Sequence, residues 1–138
     1  MVLAALGLVP SAALEAGEVL PGPLPAQVVS VYDGDTITVR ARIWLGQDIE
    51  VSVRLDGIDT PELRGKCEDE KKLAQKARDF LIKLAGDTVM LRDIHYGKYA
   101  GRVIARVLTE DGEDLVAALI NAGHGRPYSG GKRQGWCR

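Results

Sequence analysis

From Thr36 to Leu55 the chain reads TITVRARIWLGQDIEVSVRL. Ile37, Val39, Ala41 and Ile43 share one parity, and Leu45–Asp48 turns the chain around Gly46. Ile49, Val51, Val53 and Leu55 then share a parity again. Alternation of this kind predicts two strands, each with one apolar face. Upstream, Gln27–Tyr32 is a β-branched run that ends at the turn pair Asp33-Gly34, which completes a three-stranded meander. Downstream, Asp56–Gly65 reads as a loop holding Gly57, Pro61 and Gly65.

Glu68–Ala85 predicts a helix, with Leu73, Ala77, Phe80, Leu81 and Leu84 at helical spacing and Gly86 as its stop. Glu68, Asp69 and Glu70 occupy the first turn, where the helix dipole favours acids. Thr88–Ile94 and Arg102–Thr109 are expected strands on either side of a turn, and Asp114–Ala122 is a short second helix ended by Gly123. The expected class is α+β, mainly β: a five-stranded OB-fold Greek-key barrel with two α-helices, one between strands three and four and one after strand five. The same element order also fits other α+β domains.

A chain of 138 residues suits one compact domain, and 46% hydrophobic content can supply its core. The net charge of −1 rules out a polycation, so any nucleic-acid contact must come from local clusters. Cys67 and Cys137 lie far apart with no zinc-type spacing. They are either free thiols or a bridge from the first helix to the C-terminus. Residues 1–16, MVLAALGLVPSAALEA, read as the apolar part of an export signal with small residues at Ser11 and Ala13, although no Lys or Arg precedes them. An apolar arm packing on the domain is the other reading. Export, to the periplasm or the medium, would favour the disulfide. Residues 17–26 (GEVLPGPLPA) read as a Pro/Gly linker, and 27–138 as the domain.

Four segments carry possible chemistry, each with a plainer reading. Asp33-Gly34-Asp35-Thr36 sets two carboxylates around a glycine, which by itself suits a turn. Arg54 stands on the opposite parity to Val53 and Leu55, like any solvent-facing arginine. In Asp59-Thr60-Pro61-Glu62, Pro61 stiffens the backbone and holds Thr60 extended. The resulting hard oxygens suit Ca2+, or merely a helix approach. Arg102 opens a strand directly after Gly101.

Together the pieces are specific. Val31–Thr36, then Arg54-Leu55-Asp56-Gly57-Ile58-Asp59-Thr60-Pro61-Glu62, then Gly101–Ala105, closely resemble the thermonuclease (staphylococcal nuclease-like) family from about Val28 to Gly123. The resemblance implies Asp35, Asp59 and the Thr60 carbonyl as Ca2+ ligands, with Asp33 in support behind them. It implies Arg54 and Arg102 on the scissile phosphate, and Glu62 positioning or deprotonating the attacking water. It also implies DNA and RNA as substrates, preferably single-stranded or unstacked, and a monomer. A non-catalytic nucleic-acid-binding OB module is the alternative; such modules typically lack these residues.

The sequence departs from the family pattern in three places. Lys98-Tyr99-Ala100-Gly101-Arg102 carries one extra residue, Ala100, which bears on whether Lys98 and Tyr99 reach substrate. Better-known members carry a further C-terminal helix, for which the chain to Arg138 leaves no room, and they lack the cysteine pair. A Cys67–Cys137 disulfide is expected to pin the tail instead. From His124 onward that tail holds Arg126, Lys132, Arg133 and Arg138 with Tyr128 and Trp136 among them, a composition suited to single strands. Tyr128 lies near where the family places a base-stacking tyrosine. Trp136 and Trp44 are expected to pack against the domain, and His95 and His124 to lie at the surface. Asp35 shares parity with Ile37 and Val39, which calls for a position at the barrel mouth or a bulge.

Overall fold

The computed structural model describes Gly7, residues 17–99 and residues 101–138. The proposed signal segment, residues 1–16, lies outside them except for Gly7. Five strands close a mixed barrel in the order β1-β2-β3-β6-β5: β1 Leu24–Asp33, β2 Thr36–Trp44, β3 Gln47–Leu55, β5 Thr88–Tyr96 and β6 Arg102–Thr109. Helix α1 spans Glu68–Ala85 and α2 spans Leu115–Asn121. This is the expected OB-fold architecture. Short strands β4 (Ile58–Asp59) and β7 (Arg126–Pro127) form a separate pair that the sequence did not announce.

Closure depends on β1 serving two neighbours. Its first half, Leu24–Gln27, pairs antiparallel with β5, and its second half pairs with β2. The segment 17–26 is therefore not a linker throughout: Leu20 also exchanges backbone hydrogen bonds with Ile94, both under 3 Å. The composition was misleading because Pro25 need not interrupt a strand when its missing N–H is not required, and Gly22 has a packing role. A Cβ on Gly22 would stand 2.3 Å from the Leu91 carbonyl oxygen, so only glycine lets the chain pass so close to β5.

Ile37, Val39, Ala41, Val53 and Leu55 point inward as their parity requires and meet Val89, Leu91, Ala105 and Val107 from the opposite wall. Helix α1 closes one end through Leu81 and Ala85, and α2 through Leu115 and Leu119. The buried stripe of α1 runs Glu70, Ala74, Ala77, Leu81, Ala85, with Leu73 partly exposed beside it. Alternation gives out at the other barrel mouth. Ile43 and Ile49 are exposed, and Trp44, expected to pack, is 72% exposed at the hairpin tip. A hairpin tip extends beyond the wall, so its parity no longer selects an interior.

The Cys67–Cys137 disulfide is present, with Cα atoms 6.0 Å apart. Cys67 is also the N-cap of α1, its sulfur accepting from the Glu70 N–H at 3.4 Å. One residue thus starts the helix and anchors the tail. Among the described residues, no helix is long and apolar enough to cross a membrane.

Candidate functional site

The β1–β2 turn delivers the first acids. The register slips between Val31 and Asp33, and Asp35 sits in the turn itself, which answers its awkward parity. The Asp35 N–H donates to Asp33 Oδ1 at 3.1 Å, an Asx-type closure. Gly34 is required by space here: an added Cβ would meet the Ala77 Cβ at 2.8 Å and Thr60 at 3.1 Å. The turn is thereby pressed against both α1 and the Asp59–Thr60 loop.

Arg54 comes from β3, directly across the ladder from Thr36. It does not face solvent. Its Nη1 lies 2.9 Å from Asp35 Oδ2, with both side chains about nine-tenths buried. Its Nη2 donates to the Ile58 carbonyl at 3.1 Å, which ties the arginine to β4. Burial works most strongly against the Asp35 anion, but the Arg54 charge together with hydrogen bonds from Asp33, Arg54 and Thr36 outweighs it and holds the Asp35 carboxyl below the ordinary range. Asp33 responds in the opposite sense: burial, then the neighbouring Asp35 charge, push it up to about 7. Two carboxyls side by side thus differ in proton affinity: Asp35 touches the Arg54 guanidinium directly, whereas Asp33 feels it more weakly and lies against the Asp35 charge.

Arg102 opens β6, which runs parallel to β3 with Ser52 opposite Arg102 and Arg54 opposite Ile104. Asp33, Asp35, Arg54, Glu62 and Arg102 line one cleft of about 240 Å3, joined by Tyr32, Arg64 and Arg133. Asp59 and Thr60 are buried and line an adjoining cleft of about 380 Å3, with Glu62 and Arg133 shared between the two. Lys98 and Tyr99 line neither cleft; both are exposed, and Tyr99 only flanks Arg102, 5.7 Å from its guanidinium. Tyr128 is half-buried, its N–H donating to the Gly57 carbonyl at 2.9 Å and its hydroxyl to the Gly131 carbonyl at 2.7 Å.

The role of Glu70 and the partners of the tail residues escaped the sequence. The buried Glu70 carboxylate accepts the N–H groups of Lys66 and Glu62, at 3.1 and 3.2 Å, and so fixes the loop that carries Glu62. The C-terminal tail folds back over the site. Trp136 Nε1 donates to Asp59 Oδ2 at 3.3 Å, while the Arg126 guanidinium stacks 3.6 Å from the Trp136 ring. Arg133 Nη1 lies 2.8 Å from Glu62 Oε1. The cysteine pair signalled a pinned tail, and the bridge to Cys67 draws that tail across the Asp59–Glu62 loop.

The oxygens fit a hard divalent cation. Asp59 Oδ1 is buried without a hydrogen-bond partner; Arg133 Nη1 approaches it to 3.5 Å but not in hydrogen-bonding geometry. Burial raises the Asp59 pKa, opposed by the Trp136 hydrogen bond and the Arg133 charge. An orphaned buried carboxylate oxygen beside Asp35 is the kind of group that a bound cation satisfies. Among the described residues, no three His, Cys, Asp or Glu side chains gather into a ligand cluster. A Ca2+ site here would therefore draw on Asp35, Asp59 and a backbone carbonyl rather than on side chains alone.

No curated protein matches the chain. The family model described as "Staphylococcal nuclease homologue" matches residues 52–134, from within β3, through α1 and the β5–β6 hairpin, to the tail beyond Arg133. With a closed five-stranded barrel of that family's architecture and a match over more than half its length, this chain belongs to the staphylococcal nuclease homologues, a family of nuclease-type, nucleic-acid-related function.

Proposed function

We propose that the protein is a Ca2+-dependent phosphodiesterase, an endonuclease that hydrolyses DNA and RNA. The observation that carries this reading is the convergence of Arg54, Arg102 and Glu62 beside the buried Asp35 in one cleft. A non-catalytic binding module has no need for a buried guanidinium–carboxylate pair next to an orphaned carboxylate. Arg54, held by Asp35 and the Ile58 carbonyl, presents fixed positive charge where a phosphodiester gains negative charge on attack. Arg102 supplies a second planar fork, suited to bidentate contact with phosphate oxygens. Glu62 orients the attacking water and accepts its proton, its loop steadied by Glu70. Ca2+, held by Asp35, Asp59 and the Thr60 carbonyl, would polarise the phosphate and lower the cost of activating water. Contacts to phosphate do not discriminate between the sugars, so both polymers serve, most readily as single strands. Export of the chain accords with its disulfide.

The test is cleavage of single-stranded DNA in Ca2+ and in EGTA, alongside Glu62→Gln. The expected result is Ca2+-dependent cleavage that falls by orders of magnitude in the variant. Binding without cleavage under both conditions would leave a binding module.

A further inference from the structure

We propose that Arg133 is a third phosphate-contacting arginine, delivered to the cleft by the disulfide-tied tail, and that it also positions Glu62. The proposal rests on the nuclease reading and adds to it a residue from outside the barrel. Arg133 is 71 positions from Glu62 in sequence yet 2.8 Å from its carboxylate. It lines both clefts, so it stands at the boundary between the Asp59–Thr60 side and the Arg54–Arg102 side.

The tail around it is held at several points. Upstream, the Tyr128 N–H is bonded to Gly57 and its hydroxyl reaches forward to Gly131. Downstream, Arg126 Nη1 donates to the Gly135 carbonyl at 3.0 Å, Trp136 is bonded to Asp59, and Cys137 is linked covalently to Cys67. A long side chain on a fixed support loses less freedom when it binds, so its hydrogen bonds cost less. Among the described residues, the carboxylate contacts of Arg133 use Nη1 alone, and the side chain remains 43% exposed. The guanidinium also neighbours Tyr128, 5.9 Å from its ring centre, and its solvent-exposed part can meet a phosphate oxygen of the substrate while Nη1 holds Glu62 toward the same cleft.

Arg133→Ala, Arg133→Lys and Cys67→Ser/Cys137→Ser, alone and combined, test this in two assays: Ca2+-supported cleavage of a single-stranded oligonucleotide, and its binding by fluorescence anisotropy in EDTA. Melting curves establish that each variant is folded. Arg133→Ala is expected to lower kcat/KM about 10- to 100-fold and to weaken metal-free binding. Lysine should restore binding better than turnover, because it returns the charge without the fork. The serine pair should show a similar loss of cleavage and add little to Arg133→Ala, since both remove one delivered guanidinium. Unchanged cleavage and binding in Arg133→Ala would overturn the proposal. So would faster cleavage at limiting Ca2+, which would make Arg133 a plug over the acids. Absence of cleavage by the parent protein would count against the nuclease reading instead, and the anisotropy comparison would still decide whether Arg133 contacts phosphate.

Discussion

Replacing Cys67 and Cys137 by serine should cost stability without costing the barrel. The bridge closes a loop across a separation of 70 residues, for which the chain-entropy relation gives about 4 kcal/mol at 25 °C. That figure is a ceiling, because the uncrosslinked protein can free its tail while β1–β6 and α1 stay folded. Cys67 also caps α1 through its sulfur. Serine keeps an acceptor at that position and isolates the cross-link, whereas Cys67→Ala/Cys137→Ser should lose roughly 1 kcal/mol more with the cap. For a domain of this size each kcal/mol shifts Tm by about 3–6 °C, so the serine pair should melt roughly 10–20 °C below the parent. Calorimetry of the parent with and without reductant, beside both variants, measures this. Equal Tm in all four samples would refute the idea that the tail is tied to the fold by that bond. Equal Tm for the serine and alanine variants would refute the capping role alone.

Other perturbations bear on the site. Gly34→Ala should destabilise by about 1–3 kcal/mol, since its methyl enters the space of Ala77 and Thr60; chemical denaturation reads this directly. Glu70→Ala removes the buried acceptor of the part-buried Glu62 and Lys66 N–H groups, at about 1 kcal/mol, and steady-state kinetics should show kcat falling more than KM rises. Arg54→Met leaves buried Asp35 without its cation and should cost about 3 kcal/mol in the absence of metal, seen in denaturant titrations with EDTA. Ca2+ at 100 times its Kd should stabilise the parent by about 2.7 kcal/mol and Asp59→Asn far less, which thermal shift can compare.

Much of the barrel was legible because two periodicities separate cleanly. Thr36–Leu55 alternates where one face meets the core, and α1 repeats at helical spacing where it covers the barrel end. The segments Asp33–Thr36 and Asp59–Glu62 stood out in the sequence as short local motifs, and they line the two adjoining clefts. Leu24–Ala26 were misassigned because proline and glycine resemble a linker unless the strand beside them is known. Trp136 packs on the domain as expected, but the groups that Arg133, Trp136 and Glu70 would meet gave no local sign. The contacts of Arg133 to Glu62 and of Trp136 to Asp59 join segments remote in sequence, and nothing in a basic tail specifies which carboxylate it will meet. Trp44 failed for a physical reason of another kind: aromatic character suggests burial, but a hairpin tip has nothing to pack against.

The parallel pairing of β3 with β6 has a consequence for how such a site can change. Arg54 and Arg102 are spaced by rungs of one ladder, Ser52 to Arg102 and Arg54 to Ile104, and not by the turn that joins β5 to β6. Residues added to or removed from that turn leave the rungs where they are. The turn is thus a free variable of the architecture, with Lys98 and Tyr99 displayed on it in solvent. New loops can be grafted there while the spacing of Arg54 and Arg102 stays constant.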